Sequence, residues 1–478
     1  MARQKITALL LIGILLSGIV SCGGDGKTND QTTTTSDSEP VETADPLLPS
    51  DTKKYDGRTF TVLTTEKLGN VYSEEQNGSP VNDAIYERDR RTEEELDVKI
   101  NFHSAGPTIN DVYPAVKASV MAGDKDYDLI IAHTNYDLTS YVSDDLILDW
   151  NTVPHVDFEK VYWNSNIIDQ LSINGRSPYA VSDIYIGDTV FLLLNKKLAE
   201  DMRLGNLYDY VYDGKWTWEL LSKISADITG DVDGNGEMDS LDRYGVVSNV
   251  AGSAWLLRNI PGSCGQMIYK NGKDGLELVV NNEKTQKILE MANSLFHGGG
   301  GYFLEAGEVV GNGVEEFNRG TYLTYFVSSG SAAMSFNNLD FDYGVLPLPK
   351  YDEAQENYCS ISWSNNIMIP RTADADFSGM VAEWMSYYGN RLIRPKFYNS
   401  LMSVRFAQDE ETVDMLDIIF NSIDFDPGMS FKSANFYFYF DNMVRQGSSD
   451  FASYYQSSLA SELDYIERLN TAFESFGK

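Results

Sequence analysis

Oxygen-bearing side chains recur within a twelve-residue segment in the spacing of a calcium-binding loop. They fall at positions 1, 3, 5, 9 and 12 and are Asp231, Asp233, Asn235, Asp239 and Asp242. In the EF-hand loop a glycine at position 6, here Gly236, permits a sharp turn, and a backbone carbonyl, here that of Glu237, fills position 7. Because Ca²⁺ is a hard cation that prefers oxygen ligands, the spacing predicts one bound calcium ion.

The loop departs from the sensor type at its last position. Asp242 stands where a sensor loop carries a bidentate Glu, so the shorter side chain reaches the ion with one oxygen. The alternative is a turn without an ion, because Asp, Asn and Gly favour turns in any sequence. An interaction module of the dockerin type would need a second such loop nearby, and the chain has one. The loop therefore predicts a structural ion rather than a switch.

No catalytic motif accompanies this loop. The histidines His103, His133, His155 and His297 lack the spacing of a zinc protease, and no G-x-S-x-G or G-x-x-x-x-G-K-[ST] motif occurs. Paired carboxylates can serve glycoside hydrolysis. However, some pairing among 71 acidic residues is expected by chance. We predict a binding protein rather than an enzyme, with a surface glycan-processing hydrolase as the alternative.

The composition is that of an acidic globular protein with more than one domain. The 478 residues are 42% hydrophobic, and 37 basic against 71 acidic residues give a formal net charge of -34. Such a charge repels nucleic acid and anionic membrane surfaces. The cysteines Cys22, Cys264 and Cys359 are too few for a disulfide framework, and pairing of Cys264 with Cys359 stays open at this point.

The N-terminal part is typical of a secreted lipoprotein. Basic residues precede an apolar run at residues 6–16, which is too short to cross a bilayer core of about 30 Å. Residues 19–22, Ile-Val-Ser-Cys, resemble a bacterial lipobox. The resemblance implies a signal peptide over residues 1–21 and a lipid on the thiol of Cys22. Residues 22–54, rich in Thr, Ser and Asp, predict a flexible linker that holds the folded part at the extracellular face of the cell membrane.

Strand and helix patterns alternate from residue 55 onwards. They predict strands and helices in turn at residues 59–64, 81–96, 97–102, 112–122 and 127–132. Short apolar runs separated by helices of ten or more residues indicate an α/β protein with parallel strands covered on both faces. From residue 376 the pattern is mostly helical.

Five short motifs follow one another along this α/β region. They are YDLIIA at 127–132, VFLLLNKKLAED at 190–201, KWTWE at 215–219, FNRG at 317–320 and FDYGVLPLPK at 341–350. In this order they resemble the extracellular solute-binding proteins of ABC importers, the class that includes maltose-binding protein. The resemblance covers most of residues 55–400. It implies two α/β lobes with ligand in the cleft between them, and a closed form that the transmembrane permease subunits recognise.

The same resemblance assigns two extended runs, at residues 183–196 and 358–370, to the strands that cross between the lobes. The implied lobes are residues 55–188 plus 360–400, and residues 189–359 plus 401–478 with the C-terminal helices.

Candidate ligand contacts are chosen by their place in the implied fold. They lie in the loop after residues 127–132, on the two crossings and after strands of the second lobe. They are Asn135, Tyr136, Tyr185, Asp188, Trp255, Ser329, Trp363, Ser364 and Asn365. Trp363 is predicted to stack on the ligand, the alternative being that it packs under the hinge. Family members of this size most often bind oligosaccharides, so we expect a carbohydrate, with peptide and polyamine ligands left open.

Overall fold

The computed structural model describes most of residues 45–478. The segments outside the described part are residues 1–44, 67, 69–70, 134–137, 252–253, 310–312, 337–338, 364 and 404–409. The predicted signal peptide and Cys22 therefore lie outside it, and the lipid anchor stays a prediction. Among the described residues, no helix is long and apolar enough to cross a membrane.

Strands are short and spread along the whole chain. They are β1 Arg58–Thr64, β2 Val98–Ser104, β3 Leu129–His133, β4 Asp188–Asn195, β5 Tyr244–Asn249, β6 Tyr269–Gly272, β7 Gly275–Leu278, β8 Gly301–Leu304, β9 Tyr322–Ser328, β10 Tyr343–Leu346, β11 Ser360–Trp363, β12 Asn365–Met368 and β13 Ile423–Asp424. The predicted strands at residues 59–64, 97–102 and 127–132 are thus confirmed within two residues at each end.

Helices separate the strands and dominate the C-terminal part, as predicted. They are α1 Pro80–Leu96, α2 Val112–Ala122, α3 Leu138–Ser143, α4 Ser165–Leu171, α5 Lys196–Asp201, α6 Leu207–Tyr212, α7 Trp218–Ile228, α8 Asn259–Ser263, α9 Glu283–His297, α10 Val314–Asn318, α11 Ser329–Ser335, α12 Ala375–Tyr388, α13 Arg394–Ser403, α14 Glu410–Asn421, α15 Pro427–Ser430, α16 Tyr439–Arg445 and α17 Phe451–Ser475. A π-helical turn, Gly389–Ile393, joins α12 to α13.

The strands form two larger sheets and one hairpin. The first sheet has the order β12-β3-β1-β2, in which β1, β2 and β3 are parallel and β12 is antiparallel to β3. The second sheet has the order β13-β11-β4-β9-β5-β8, with β10 also paired to β4. Strands β5, β8 and β9 are parallel, whereas β4 runs antiparallel to β9 and β11. The hairpin is β6-β7.

Burial explains why these runs form strands. Every residue of β4 from Thr189 to Asn195 is buried, as is every residue of β9. Strands covered on both faces must be apolar throughout rather than alternating, which is the pattern of VFLLL at residues 190–194. The two thiols that the sequence left open, Cys264 and Cys359, are free cysteines rather than a disulfide.

The structure corrects the predicted boundaries in two places. Leu47–Lys478 form one compact unit, so residues 47–54, assigned to the linker from the sequence, belong to the folded part. Strand β11 at Ser360–Trp363 pairs with β4 and β13 in the second sheet, although residues 360–400 were assigned to the first lobe. The chain changes sheets after Trp363, because the backbone of Asn365 already pairs with β3.

A buried arginine on α1 holds the first crossing in place. The guanidinium of Arg88 is fully buried and donates to the carbonyls of Ile184 and Val71, at 2.6 and 2.9 Å, and to the carboxylate of Asp89 at 2.7 Å. Burial raises the pKa of Asp89 to about 6, and the charge of Arg88 acts against that rise. Arg88 therefore satisfies two backbone carbonyls and one buried charge at once.

We predict that Arg88→Met lowers the free energy of unfolding by about 3–5 kcal/mol. The substitution leaves the buried carboxylate of Asp89 without its cationic partner and two buried carbonyls without a hydrogen-bond donor. Arg91→Met, on the same helix, removes a side chain that is 55% exposed and should leave the free energy of unfolding nearly unchanged. Urea unfolding of both variants measures the difference. Equal midpoints for the two variants would contradict the role given to Arg88.

Candidate functional site

One residue joins the two sheets at the second crossing. Strand β11 ends at Trp363, which pairs with Asp188 of β4, and strand β12 begins at Asn365, which pairs with His133 of β3. Only residue 364 lies between them. The chain therefore passes from the second sheet to the first within a single intervening residue.

The strand directions show which edges of the sheets meet at this point. Strands β11 and β9 are both antiparallel to β4, so β11 runs with β9 and β5 and ends at their carboxyl edge. Strand β12 is antiparallel to β3, so it begins at the carboxyl edge of β1 and β3. The carboxyl edges of both sheets thus face the same crossing. Open α/β sheets bind ligands at such edges.

Two predicted ligand contacts bond to each other at this edge. Asp188 accepts hydrogen bonds at one carboxylate oxygen from the Ser329 hydroxyl at 2.7 Å and from the Gly330 backbone N–H at 2.8 Å. The Thr189 backbone N–H donates to the same Ser329 hydroxyl at 3.2 Å. Burial raises the pKa of Asp188, and these donors act against that rise. Ser329, fully buried, therefore joins α11 to β4, and its contact with the ligand stays a prediction, as does that of Asp188.

The other predicted contacts are distributed differently. Tyr185 is half-buried on the core of the first sheet and lines a cavity of about 340 Å³ beside the first crossing, together with the rings of Phe397 and Tyr398. Trp255 is half-buried against the core of the second sheet, and Asn365 is buried. The predicted contacts that lie outside the described part are Asn135, Tyr136, Ser364 and the side chain of Trp363. The stacking role of Trp363 stays a prediction.

Uncharged polar side chains mark the carboxyl edge of the first sheet. The hydroxyls of Thr64 and Thr65 and both amide atoms of Asn366 are buried and have no hydrogen-bond partner within the described part of the chain. Burial lowers the pKa of His133 to about 4, which leaves this imidazole neutral at physiological pH. Unpaired buried groups are costly, and where they occur they commonly bond to a ligand or to ordered water. The chain thus keeps neutral donors and acceptors at this edge.

An aromatic surface stands at the carboxyl edge of the second sheet, after β5. The Arg258 guanidinium lies 4.8 Å from the ring centre of Tyr437 and 4.4 Å from that of Phe438. Its Nη2 donates to Asp441 at 3.0 Å, and both of these charged side chains are 6% exposed. Cation–π contact and ion pair together fix the two rings. Phe438 is nevertheless 44% exposed, an unusual position for a phenyl ring.

The sequence analysis did not select this aromatic surface. Its signal is the run Asn-Phe-Tyr-Phe-Tyr-Phe at residues 435–440, which reads as core by composition. The ion pair that positions this surface joins Arg258 and Asp441, which are 183 residues apart in the chain.

The calcium-type loop lies at the other end of the second sheet, between α7 and the amino end of β5. Carboxylate oxygens of Asp231, Asp233 and Asp242 lie within 4.8 Å of one another. Gly236 has a φ of 84°, the left-handed turn that position 6 of such a loop requires.

Backbone donors shape the same loop. The N–H groups of Gly236 and Gly234 donate to Asp231 at 2.9 and 2.6 Å and lower the pKa of its carboxyl group. Asp242 is fully buried and accepts from two backbone N–H groups of the loop. Asp239 accepts from the Leu241 N–H instead of approaching the three-carboxylate cluster. The three clustered carboxylates and the left-handed turn at Gly236 suit Ca²⁺, which prefers oxygen ligands. Position 9 of such a loop, here Asp239, often binds the ion through a water molecule.

Comparison with known proteins agrees with this architecture. A family model described as bacterial extracellular solute-binding protein matches residues 89–391, more than half of the chain. No curated protein sequence matches.

Three solved structures share the fold. UgpB from Mycobacterium tuberculosis, in complex with glycerophosphocholine, has a TM-score of 0.56 at 16% identity, and the match covers 86% of this chain and 99% of that one. The ABC substrate-binding protein Lmo0181 from Listeria monocytogenes, in complex with cycloalternan, has a TM-score of 0.53 at 12% identity over 89% and 98% of the two chains. RafE from Streptococcus pneumoniae, in its apo form, has a TM-score of 0.53 at 15% identity over 88% and 98%.

These findings confirm the predicted two-lobed α/β fold and the suspected resemblance. The residues matched by the family model include both crossings and all strands of the two sheets except β1 and β13. The chain belongs to the family of bacterial extracellular solute-binding proteins.

Proposed function

We propose that the protein captures an uncharged carbohydrate between the carboxyl edges of its two sheets and delivers it to the permease of an ABC importer. The observation that carries this proposal is the meeting of the two edges at residue 364, one lined by neutral polar groups and the other by an aromatic surface. Hydroxyl and amide groups match the hydroxyls of a sugar, and an exposed ring matches its apolar face.

The charges at these edges favour a neutral ligand. Arg258 is neutralised by Asp441, and His133 is uncharged at physiological pH. The formal net charge of -34 also disfavours an anionic solute. The similar structures hold cycloalternan in one case and glycerophosphocholine in another, so the fold alone does not select the ligand class. Membership of a solute-binding family favours binding over the glycan-hydrolase alternative.

We predict that Phe438→Ala weakens binding of the cognate carbohydrate about tenfold and leaves the melting temperature nearly unchanged, because the ring is exposed and stacks on the ligand. The carbohydrate is first identified by a thermal-shift screen of mono- and oligosaccharides, since a ligand of the folded state raises its melting temperature. Calorimetric titration then compares the variant with the wild type.

The matched control is Tyr212→Ala. This ring is 48% exposed and lies on α6, where it donates to Asp414 at 2.9 Å, away from the crossing. Its removal should leave carbohydrate affinity unchanged. If no saccharide shifts the melting temperature while a charged solute does, the proposed ligand class is wrong. If Phe438→Ala binds the carbohydrate as tightly as the wild type, the ring is not part of the site.

We propose in addition that residues 231–242 bind one structural Ca²⁺. Asp231, Asp233, Asn235, Asp239 and Asp242 would supply side-chain oxygens, and Glu237 its carbonyl. The bound ion would offset the repulsion among carboxylates that lie within 4.8 Å of one another. The ion would stabilise the turn between α7 and β5 and take no direct part in ligand binding.

Calcium removal is expected to lower the melting temperature by several degrees, and millimolar calcium should restore it. Asp233→Asn should abolish the calcium-dependent part of the shift, because it removes a ligand with an exposed side chain. Asp227→Asn, an exposed acid on the preceding helix, should retain it. Identical melting curves for the wild type in chelator and in calcium would exclude the ion.

The sequence around Cys22 supports a lipid anchor at the extracellular face of the membrane. We predict that metabolically supplied radiolabelled palmitate enters the wild-type chain and that Cys22→Ala releases the protein from the membrane fraction. Cys359→Ala, which removes a thiol of the folded part, should stay membrane-bound. An unlabelled wild type, or a Cys22→Ala variant that remains in the membrane fraction, would contradict the anchor.

A further inference from the structure

The first residues of the compact unit, residues 47–58, contain turns but no helix, and they lead into β1 at Arg58. We call this segment the strap. Leu47 packs on the core of the first sheet, and Pro49 is buried. The indole N–H of Trp384 on α12 donates to the carbonyl of Asp51 at 3.0 Å. The Tyr55 N–H donates to the carbonyl of Leu96 at 2.8 Å. The strap is therefore bound to α12 and to the end of α1.

A histidine lies between the strap and α12. The Nδ1 atom of His155 is 3.0 Å from a carboxylate oxygen of Asp51, and its Nε2 atom is 2.8 Å from a carboxylate oxygen of Asp376. Ionised carboxylates only accept hydrogen bonds, and a neutral imidazole has one N–H donor. Both contacts are hydrogen bonds only when the imidazole carries two protons and a positive charge.

Neighbouring charges complete the cluster. Lys53 donates to the second oxygen of Asp376 at 3.1 Å, and Arg58 donates to Asp374 at 2.8 Å while its guanidinium lies 3.8 Å from the ring centre of Phe377. The cations Lys53 and Arg58 of the strap thus face the carboxylates of Asp376 and Asp374. Without the charge on His155, Asp51 would have no cationic partner among the described residues, whereas Asp376 would still have Lys53.

The cluster lies at the end of the first sheet opposite to the crossing. Strand β1 starts at Arg58, and α12 follows the end of β12, which runs antiparallel to β3. The strap is therefore at the amino edge of β1, whereas the proposed ligand site is at the carboxyl edge.

We propose that cationic His155 pins the strap to the first sheet and that loss of the imidazole charge releases residues 47–54. In mildly acidic medium, residues 47–54 would stay bound to the first sheet on the side opposite to the ligand site. In alkaline medium, these residues would detach and lengthen the N-terminal linker. That consequence for anchoring depends on the proposed lipid anchor, whereas the pinning itself does not.

The expected pH dependence follows from the same contacts. Burial lowers the pKa of His155, but hydrogen bonds to Asp376 and Asp51 outweigh it and raise the pKa above its ordinary value. The contribution of the pin is therefore fully present below the ordinary histidine pKa of about 6.5. It is lost as the pH rises through the raised value of the folded protein.

Trypsin cleavage tests the proposal, because Lys53 and Lys54 both lie within the strap and are held by side-chain bonds to Asp376 and to the Glu94 carbonyl. The full chain in detergent is digested briefly between pH 6 and pH 8.5, and cleavage after these lysines is followed by intact mass. Each rate is divided by that of a free peptide of residues 45–60, which removes the pH dependence of the protease itself.

The relative cleavage rate of the wild type should rise by roughly tenfold across this range, because deprotonation of His155 removes one of its two hydrogen bonds and takes the donor's positive charge from the other. His155→Asn should cleave fast at every pH. Asn is chosen because His155 has a φ of 68°, a conformation that Asn tolerates. His103→Asn, at an exposed histidine of β2, should behave as the wild type.

Melting temperatures show whether His155→Asn keeps its global fold, and Asp51→Asn provides a second variant at the exposed end of the pin. In Asp51→Asn the NMR titration of His155 should move to lower pH. A wild-type cleavage ratio that is flat with pH, or a His155 titration unaffected by Asp51→Asn, would overturn the proposal. Since none of these measurements uses lipid or carbohydrate, their outcome is independent of the proposed function.

Discussion

The passage of the chain from β11 to β12 is the constraint on which the rest of the site depends. It separates two antiparallel pairings, Trp363 with Asp188 in the second sheet and Asn365 with His133 in the first. Strand β11 ends at the carboxyl edge of β5 and β9, and β12 begins at the carboxyl edge of β3. The carboxyl edges of two otherwise separate groups of parallel strands are thereby brought to the same place. The location of the candidate site is a consequence of strand direction.

The side chains at the two edges differ in chemical type. The edge of the first sheet carries small hydroxyl and amide groups, whereas the edge of the second carries rings fixed by Arg258 and Asp441. Asp188, half-buried between these edges, accepts hydrogen bonds from the protein's own Ser329 hydroxyl and Gly330 backbone N–H. The fixed charges nearby serve the scaffold instead: Arg88 holds the backbone of the first crossing, and Asp188 holds α11 against β4. Hinge and site are thus built from different residues, although they adjoin.

Predictions from the sequence succeeded where local pattern decides the structure. The helix predicted at residues 112–122 has these bounds in the structure, and α1 and the first three strands are confirmed within two residues. They did not reach contacts between distant segments. Ser329 and Asp188 were chosen by their place in the implied fold, whereas the hydrogen bond between them joins residues 141 positions apart. Phe438 was missed because a ring in an aromatic run is ordinarily buried, and only its neighbours in space expose it.

By itself, then, the sequence determined the class of the protein, its strand and helix order, the oxygen spacing at residues 231–242 and the lipobox-like segment before Cys22. Each motif behind these inferences spans about a dozen residues or fewer, a range over which periodicity, turn preference and ligand spacing act directly. Tertiary structure alone decided which polar groups stay unpaired, which ring is exposed and how His155 meets Asp51 and Asp376. Those outcomes depend on packing between distant segments, and no local pattern in a single chain encodes which segments will meet.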